Sequence, residues 1–72
     1  MSIFSERLKH LRKSRGLTQK AIAEKLSIGE RAYQHYEGDS RYPDFEGLLL
    51  LADILDTSLD YLVGRSDDPT MK

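Results

Sequence analysis

The chain has 72 residues, a formal net charge of −1 and no cysteine. That length allows one domain with a modest core, and the missing thiols exclude disulfides, a cysteine-based zinc site and a thiol nucleophile. The opening MSIFSERLKH lacks the apolar run of a signal peptide and no apolar stretch approaches the ~20 residues that span a bilayer, so a cytoplasmic protein with no membrane partner is expected.

Phe4, Leu8 and Leu11 recur at i, i+4 and i+7 among polar residues, which predicts an amphipathic first helix ending before Gly16. Thr18 is a good N-cap for a second helix whose apolar positions are Ala21, Ile22, Ala23 and Leu26. Ser27-Ile28-Gly29 interrupts it, and Gly29 serves as the next N-cap, with Glu30 favourable to the helix dipole. The third helix runs from about Glu30 to Glu37 and stops at Gly38-Asp39-Ser40. Pro43-Asp44 opens a fourth, with Asp44 as N-cap. Its body, FEGLLLLADIL over residues 45–55, is the most apolar stretch and is expected as the central helix of the core. Gly47 inside it costs about 1 kcal/mol relative to Ala, which points to close packing there. Thr57-Ser58-Leu59-Asp60 resembles a capping box opening a short last helix, Leu59 to Val63, ended by Gly64. The chain has no internal repeat and no strand alternation. The expected fold is all-α, a compact bundle of five short helices over residues 1–64, with 65–72 as a flexible tail.

Charge is unevenly distributed. Residues 1–42 hold nine Lys/Arg and five Asp/Glu, whereas residues 43–72 hold two and seven. A near-neutral chain can thereby keep one basic face for nucleic acid, although uneven solvated helix faces give the same count. The third helix sharpens the reading. At 3.6 residues per turn, Tyr33, Tyr36 and Glu37 fall on one side and Glu30, Arg31, Gln34 and His35 on another. Two short helices joined by about three residues, the second studded with polar side chains, make a helix-turn-helix. A helix of this diameter fits the DNA major groove, where base edges offer distinct donor and acceptor patterns.

The stretch LTQKAIAEKL-SIG-ERAYQHYEGDSRYPDFEGLLLLADILDTSLDYL resembles the Cro and phage-repressor type of helix-turn-helix domain, the xenobiotic-response-element family, over about residues 4 to 63. The order and spacing of its pieces, with Arg12, Ala23, Glu37 and Pro43 in place, make the likeness specific. The resemblance implies a lambda-repressor-like fold and a sequence-specific regulator of transcription, a repressor that binds double-stranded operator DNA as a homodimer. It places Glu30, Arg31, Gln34 and His35 at base-reading positions. Arg31 suits guanine O6/N7, Gln34 suits adenine N6/N7, and Glu30 can accept from cytosine N4. Gln19, Ser40, Arg41 and Tyr42 fall where the family contacts phosphate, and Thr18, Lys20, Lys13 and Arg15 are further candidates. Arg12 and Glu37 match a structural ion pair tying the first helix to the end of the third.

Dimerisation in this family tends to use the C-terminal helices, which makes Leu50 and Tyr61 candidates for the interface; alternatively, Leu50 only widens the core face. Two departures stand out. Ser27 occupies a turn position where Gly is usual and positive φ is often needed, and Asp39 brings an acid into the loop after the third helix. The competing reading is a protein-interaction module of the same fold, such as an antitoxin. An enzyme is not expected: the two histidines, His10 and His35, have no carboxylates at metal-binding spacing, and no serine sits in a nucleophile elbow. No cofactor, metal or small-molecule ligand is expected.

Overall fold

The computed structural model describes residues 2–71. Within them the chain forms α1 (Ile3–Ser14), α2 (Gln19–Lys25), α3 (Glu30–Glu37), α4 (Phe45–Ile54) and α5 (Leu59–Leu62), with no strand among the described residues. Helices this short are marginal on their own, because one costly nucleus must be repaid by few propagating bonds. Their ends are therefore closed with care. Ser2, Thr18, Asp44 and Ser58 are N-caps whose side chains accept the backbone N–H of Ser5, Ala21, Gly47 and Tyr61. Only α3 starts without such a bond, at Gly29.

All five helices stop in the same way. The residue after each C-cap takes a left-handed conformation: Gly16, Ser27, Asp39, Asp56 and Gly64. The next amide then reaches back over the last turn, as Leu17 N–H does to Arg12 O (3.1 Å) and Ile28 N–H to Ala23 O (3.0 Å). This Schellman geometry satisfies carbonyls that the helix leaves without partners. It also turns the chain sharply enough for four intervening residues to join α2 to α3. Asp tolerates the left-handed region better than most residues because its side chain bonds locally; Ser27, at φ 58°, has the larger penalty.

Phe4, Leu8, Leu11, Ile22, Ala23, Tyr33, Leu51, Leu55 and Leu62 form one buried cluster drawn from every helix. Burying each of the larger side chains contributes about 1.5–3 kcal/mol before the ordering entropy is charged. α2 packs on α3, α1 against α3 and α5, and α4 against α5. The fourth helix is less central than its composition suggests. It gives Leu51 and Ala52 to the core, with Leu55 as its C-cap, but leaves Phe45 67%, Leu49 41% and Leu50 42% exposed. Gly47 is explained by contact: a Cβ there would lie 2.9 Å from Pro43 Cβ and 3.1 Å from the capping Asp44 oxygen.

Residues 66–69, after α5, are hydrogen-bonded back onto the helices. The Arg7 guanidinium stacks 4.0 Å over the Tyr61 ring and donates to Ser66 O (2.7 Å) and Asp67 (2.9 Å). Ser58 N–H donates to Pro69 O (2.9 Å). No helix among the described residues is long and apolar enough to cross a membrane.

Relief of the turn strain is measurable. Ser27→Gly removes the left-handed penalty at some cost in unfolded-chain entropy, and should stabilise the domain by about 0.5–1 kcal/mol. In a domain of this size that corresponds to a rise in Tm of about 2–8 °C, read by calorimetry.

Candidate nucleic-acid interface

The turn at Ser27 sets α3 across α2 with its polar side outward. Glu30, Arg31 and Gln34 are exposed and His35 is half-buried, while Tyr33 is fully buried and Tyr36 half-buried on the opposite side. The period of the sequence is thus realised in space: the tyrosine side holds the helix to the core and the other four side chains line its outer face. Exposed Thr18, Lys20, Ser40 and Arg41 flank this face in sequence.

What fixes α3 is the carboxylate of Glu37. Arg12, on α1, binds it through Nε (2.5 Å to Oε2) and Nη2 (3.2 Å to Oε1), with both side chains less than a tenth exposed. The Tyr33 hydroxyl donates to Oε2 and Gln19 Nε2 to Oε1 (3.1 Å). Burial alone would raise the carboxyl's proton affinity, but the hydrogen bonds from Arg12, Tyr33 and Gln19 outweigh it and hold Glu37 below the usual range. The same bonds act on the partners. Glu37 strengthens the Arg12 cation, and burial followed by the bond to Glu37 pushes the Tyr33 phenol well up.

The polarity of this network propagates outward. A carboxylate only accepts, so Gln19 must turn its NH2 to Glu37, and its oxygen is left to accept from Gln34 Nε2 at 3.2 Å. Gln34 therefore offers solvent its own oxygen and one remaining N–H, the pair that matches adenine N7 and N6. Sequence pattern alone placed Gln19 and Gln34 on neighbouring helices; their direct bond depends on the angle between α2 and α3, which no local signal encodes.

Other predicted contacts are partly engaged within the chain. Arg15, considered for a phosphate, donates from Nε to Leu55 O (2.9 Å) and closes the C-terminal end of α4. Asp39 accepts from the Ser2 backbone N–H (3.0 Å) and from the Tyr42 hydroxyl, and these bonds, the Tyr42 one foremost, hold its carboxyl below the usual range. Tyr42 is 58% exposed, with its ring 5.9 Å from that of Phe4, but its hydroxyl proton is committed to Asp39. It donates to a phosphate only by leaving that carboxylate. Leu50 lies in an open cleft with Leu26, Ile28, Tyr36 and Pro43, whereas Tyr61 is half-buried beneath Arg7. Phe45 and Leu49, not singled out by sequence, are exposed one turn apart on α4. No three of the described His, Asp and Glu residues lie close enough together to hold a metal ion.

A family model described as a helix-turn-helix domain matches residues 5–67. The chain belongs to the helix-turn-helix domain family. YqaE of Bacillus subtilis (strain 168), an uncharacterized HTH-type transcriptional regulator, is 49% identical over 67 residues, covering 92% of this chain and 58% of YqaE. RstR of Vibrio cholerae, the cryptic phage CTXphi transcriptional repressor, is 38% identical over 60 residues, covering 83% of this chain and 54% of RstR. The helix-turn-helix chain thus spans little more than half the length of these curated relatives. The P22 c2 repressor protein, solved in complex with a synthetic operator, matches with a TM-score of 0.83 at 27% identity, over 92% of this chain and 100% of that one. The all-helical, phage-repressor-like architecture expected from the sequence is therefore the one observed. Helix-turn-helix domains of this kind are DNA-binding rather than catalytic folds.

Glu37→Gln leaves the Arg12 guanidinium buried without its counter-charge and should destabilise the domain by about 3–5 kcal/mol at neutral pH. Because the folded value of Glu37 lies below the ordinary 4.5, its contribution is present above that pH and is lost as the pH falls through the folded value. The gap between wild type and variant in urea midpoint should therefore narrow only under acid conditions.

Proposed function

We propose that this chain is the DNA-binding part of a transcriptional regulator of the phage-repressor and Cro type, reading an operator with α3 in the major groove. The observation that carries the reading is the outward set Glu30, Arg31, Gln34 and His35 on a helix fixed by a buried ion pair. Likeness to a repressor solved on a synthetic operator supports it. Arg31 contacts guanine and Gln34 adenine, Glu30 accepts from cytosine, and His35 reads a further base edge. Thr18, Gln19, Lys20, Arg41 and Tyr42 hold the backbone, supplying affinity and register without sequence information, while the Ser40 hydroxyl and amide are both engaged with His35. The Thr18 hydroxyl accepts the Ala21 N–H (3.0 Å) and keeps its own proton for a phosphate oxygen.

One such helix reads only a half-site, and two half-sites lie about 34 Å apart. The protein accordingly acts as a homodimer, with Leu50 and Tyr61 at the contact; Phe45 and Leu49 are the other exposed apolar side chains of α4. Such exposed apolar side chains, in an acidic half of the chain, also suit the second reading, a module that binds another protein. Salt separates the two. Counterion release makes DNA affinity fall steeply as salt rises, whereas apolar protein contact is nearly indifferent to it.

Arg31→Ala should lose about 1–3 kcal/mol of discrimination at one operator base pair with an unchanged salt slope, measured by competition among single-base variants. Equal loss on every sequence, with a shallower slope, would instead mark Arg31 as a phosphate contact. The chain should sediment as a dimer at micromolar concentration and Leu50→Ser as a monomer; a wild-type monomer even on operator DNA would remove the dimer from the proposal.

A further inference from the structure

His35 stands at the last turn of α3, and its ring is tied to the loop that follows. Nδ1 lies 2.8 Å from Ser40 Oγ, and the same Oγ donates to the His35 carbonyl oxygen at 3.3 Å. That carbonyl also receives the backbone N–H of Ser40 at 3.1 Å and of Arg41 at 3.3 Å, so the serine is held against the helix end by main chain as well. A hydroxyl has one proton to give. With that proton directed at the carbonyl, Oγ meets Nδ1 as an acceptor, and the ring nitrogen must carry the hydrogen. Nε2 is then bare. In a neutral imidazole one nitrogen donates and the other accepts, so the bond at Nδ1 decides what Nε2 offers.

We propose that Ser40 is a specificity-determining residue: it locks neutral His35 in the Nδ1–H tautomer, so that Nε2 is an acceptor for the exocyclic amino group of adenine or cytosine. The inference rests on the reading of α3 as the groove helix and deepens it. In the major groove adenine N6 and cytosine N4 are the donors, whereas guanine O6 and N7 and thymine O4 only accept. A bare Nε2 pairs with the first two and sets lone pair against lone pair with the others. Ser40 touches no base in this account; it acts through the ring it orients. That separates it from the phosphate-contacting role of its neighbours, since a lost phosphate contact weakens all sequences alike.

Two measurements on the full chain test this. The first is the 15N spectrum of the imidazole rings at about pH 8, where histidine is ordinarily neutral, with exposed His10 on α1 as internal reference. The wild-type His35 ring should show Nε2 unprotonated; Ser40→Ala should move proton density to Nε2, and Ser40→Thr, which keeps the hydroxyl, should not. The second uses duplex oligonucleotides selected by the wild type from a random library and then permuted one base pair at a time. At one position the wild type should prefer adenine or cytosine, and Ser40→Ala should lose roughly three- to tenfold of that preference there alone. A wild-type ring protonated on Nε2, or a preference that Ser40→Ala leaves intact, overturns the proposal. Failure to select any sequence overturns the groove reading and the base preference built on it, while the ring spectrum still decides the tautomer separately.

Discussion

Glu37 holds a negative charge in a place where water is nearly excluded, and the first three helices are arranged around that fact. The donors that satisfy it come from α1 (Arg12), from α2 (Gln19) and from α3 itself (Tyr33). A buried pair of this kind adds little net stability over well-packed apolar side chains, because desolvation consumes most of the Coulombic gain. Its worth lies in geometry. Misplacing any of the three helices strips a donor from a charge that has no other partner among the described residues, whereas an apolar contact tolerates sliding. The angle of α3 is thereby fixed more sharply than hydrophobic packing alone would fix it.

The same economy of contacts recurs at the edges. Five left-handed residues end five helices, and one of them has a second task. Asp39 ends α3 and also collects the Ser2 N–H and the Tyr42 hydroxyl, joining the start of α1 to the loop beyond α3. An acid that repels phosphate in sequence is in structure a brace for the loop. Arg7 works similarly at the other end, where one guanidinium covers an aromatic ring and gathers the backbone of the segment after α5.

Much of this was legible in the sequence wherever the cause is local. The bounds of α3, the caps at Thr18 and Asp44, and the turn at Ser27 depend on residues within a few positions of one another. The outward turn of Glu30, Arg31 and Gln34 follows from helical period, and the Arg12–Glu37 pair from a family resemblance. Contacts made by long reach were not legible. Arg15 caps a carbonyl 40 residues away and Asp39 binds an amide 37 residues away, and nothing in their neighbourhoods signals it. The exposure of Phe45 and Leu49 went unread for another reason: a run apolar on every side has no period from which to tell the inner face from the outer.

Gly29 gives the domain an unspent reserve. α3 alone lacks a side-chain cap, and a Cβ at residue 29 would meet nothing within 4 Å. A serine fits there and would tie down a loose amide; an aspartate would do so too, but would set a carboxylate at the start of α3. Engineers seeking a hardier scaffold thus have a site where robustness and affinity can be tuned against each other by the choice of one small polar side chain.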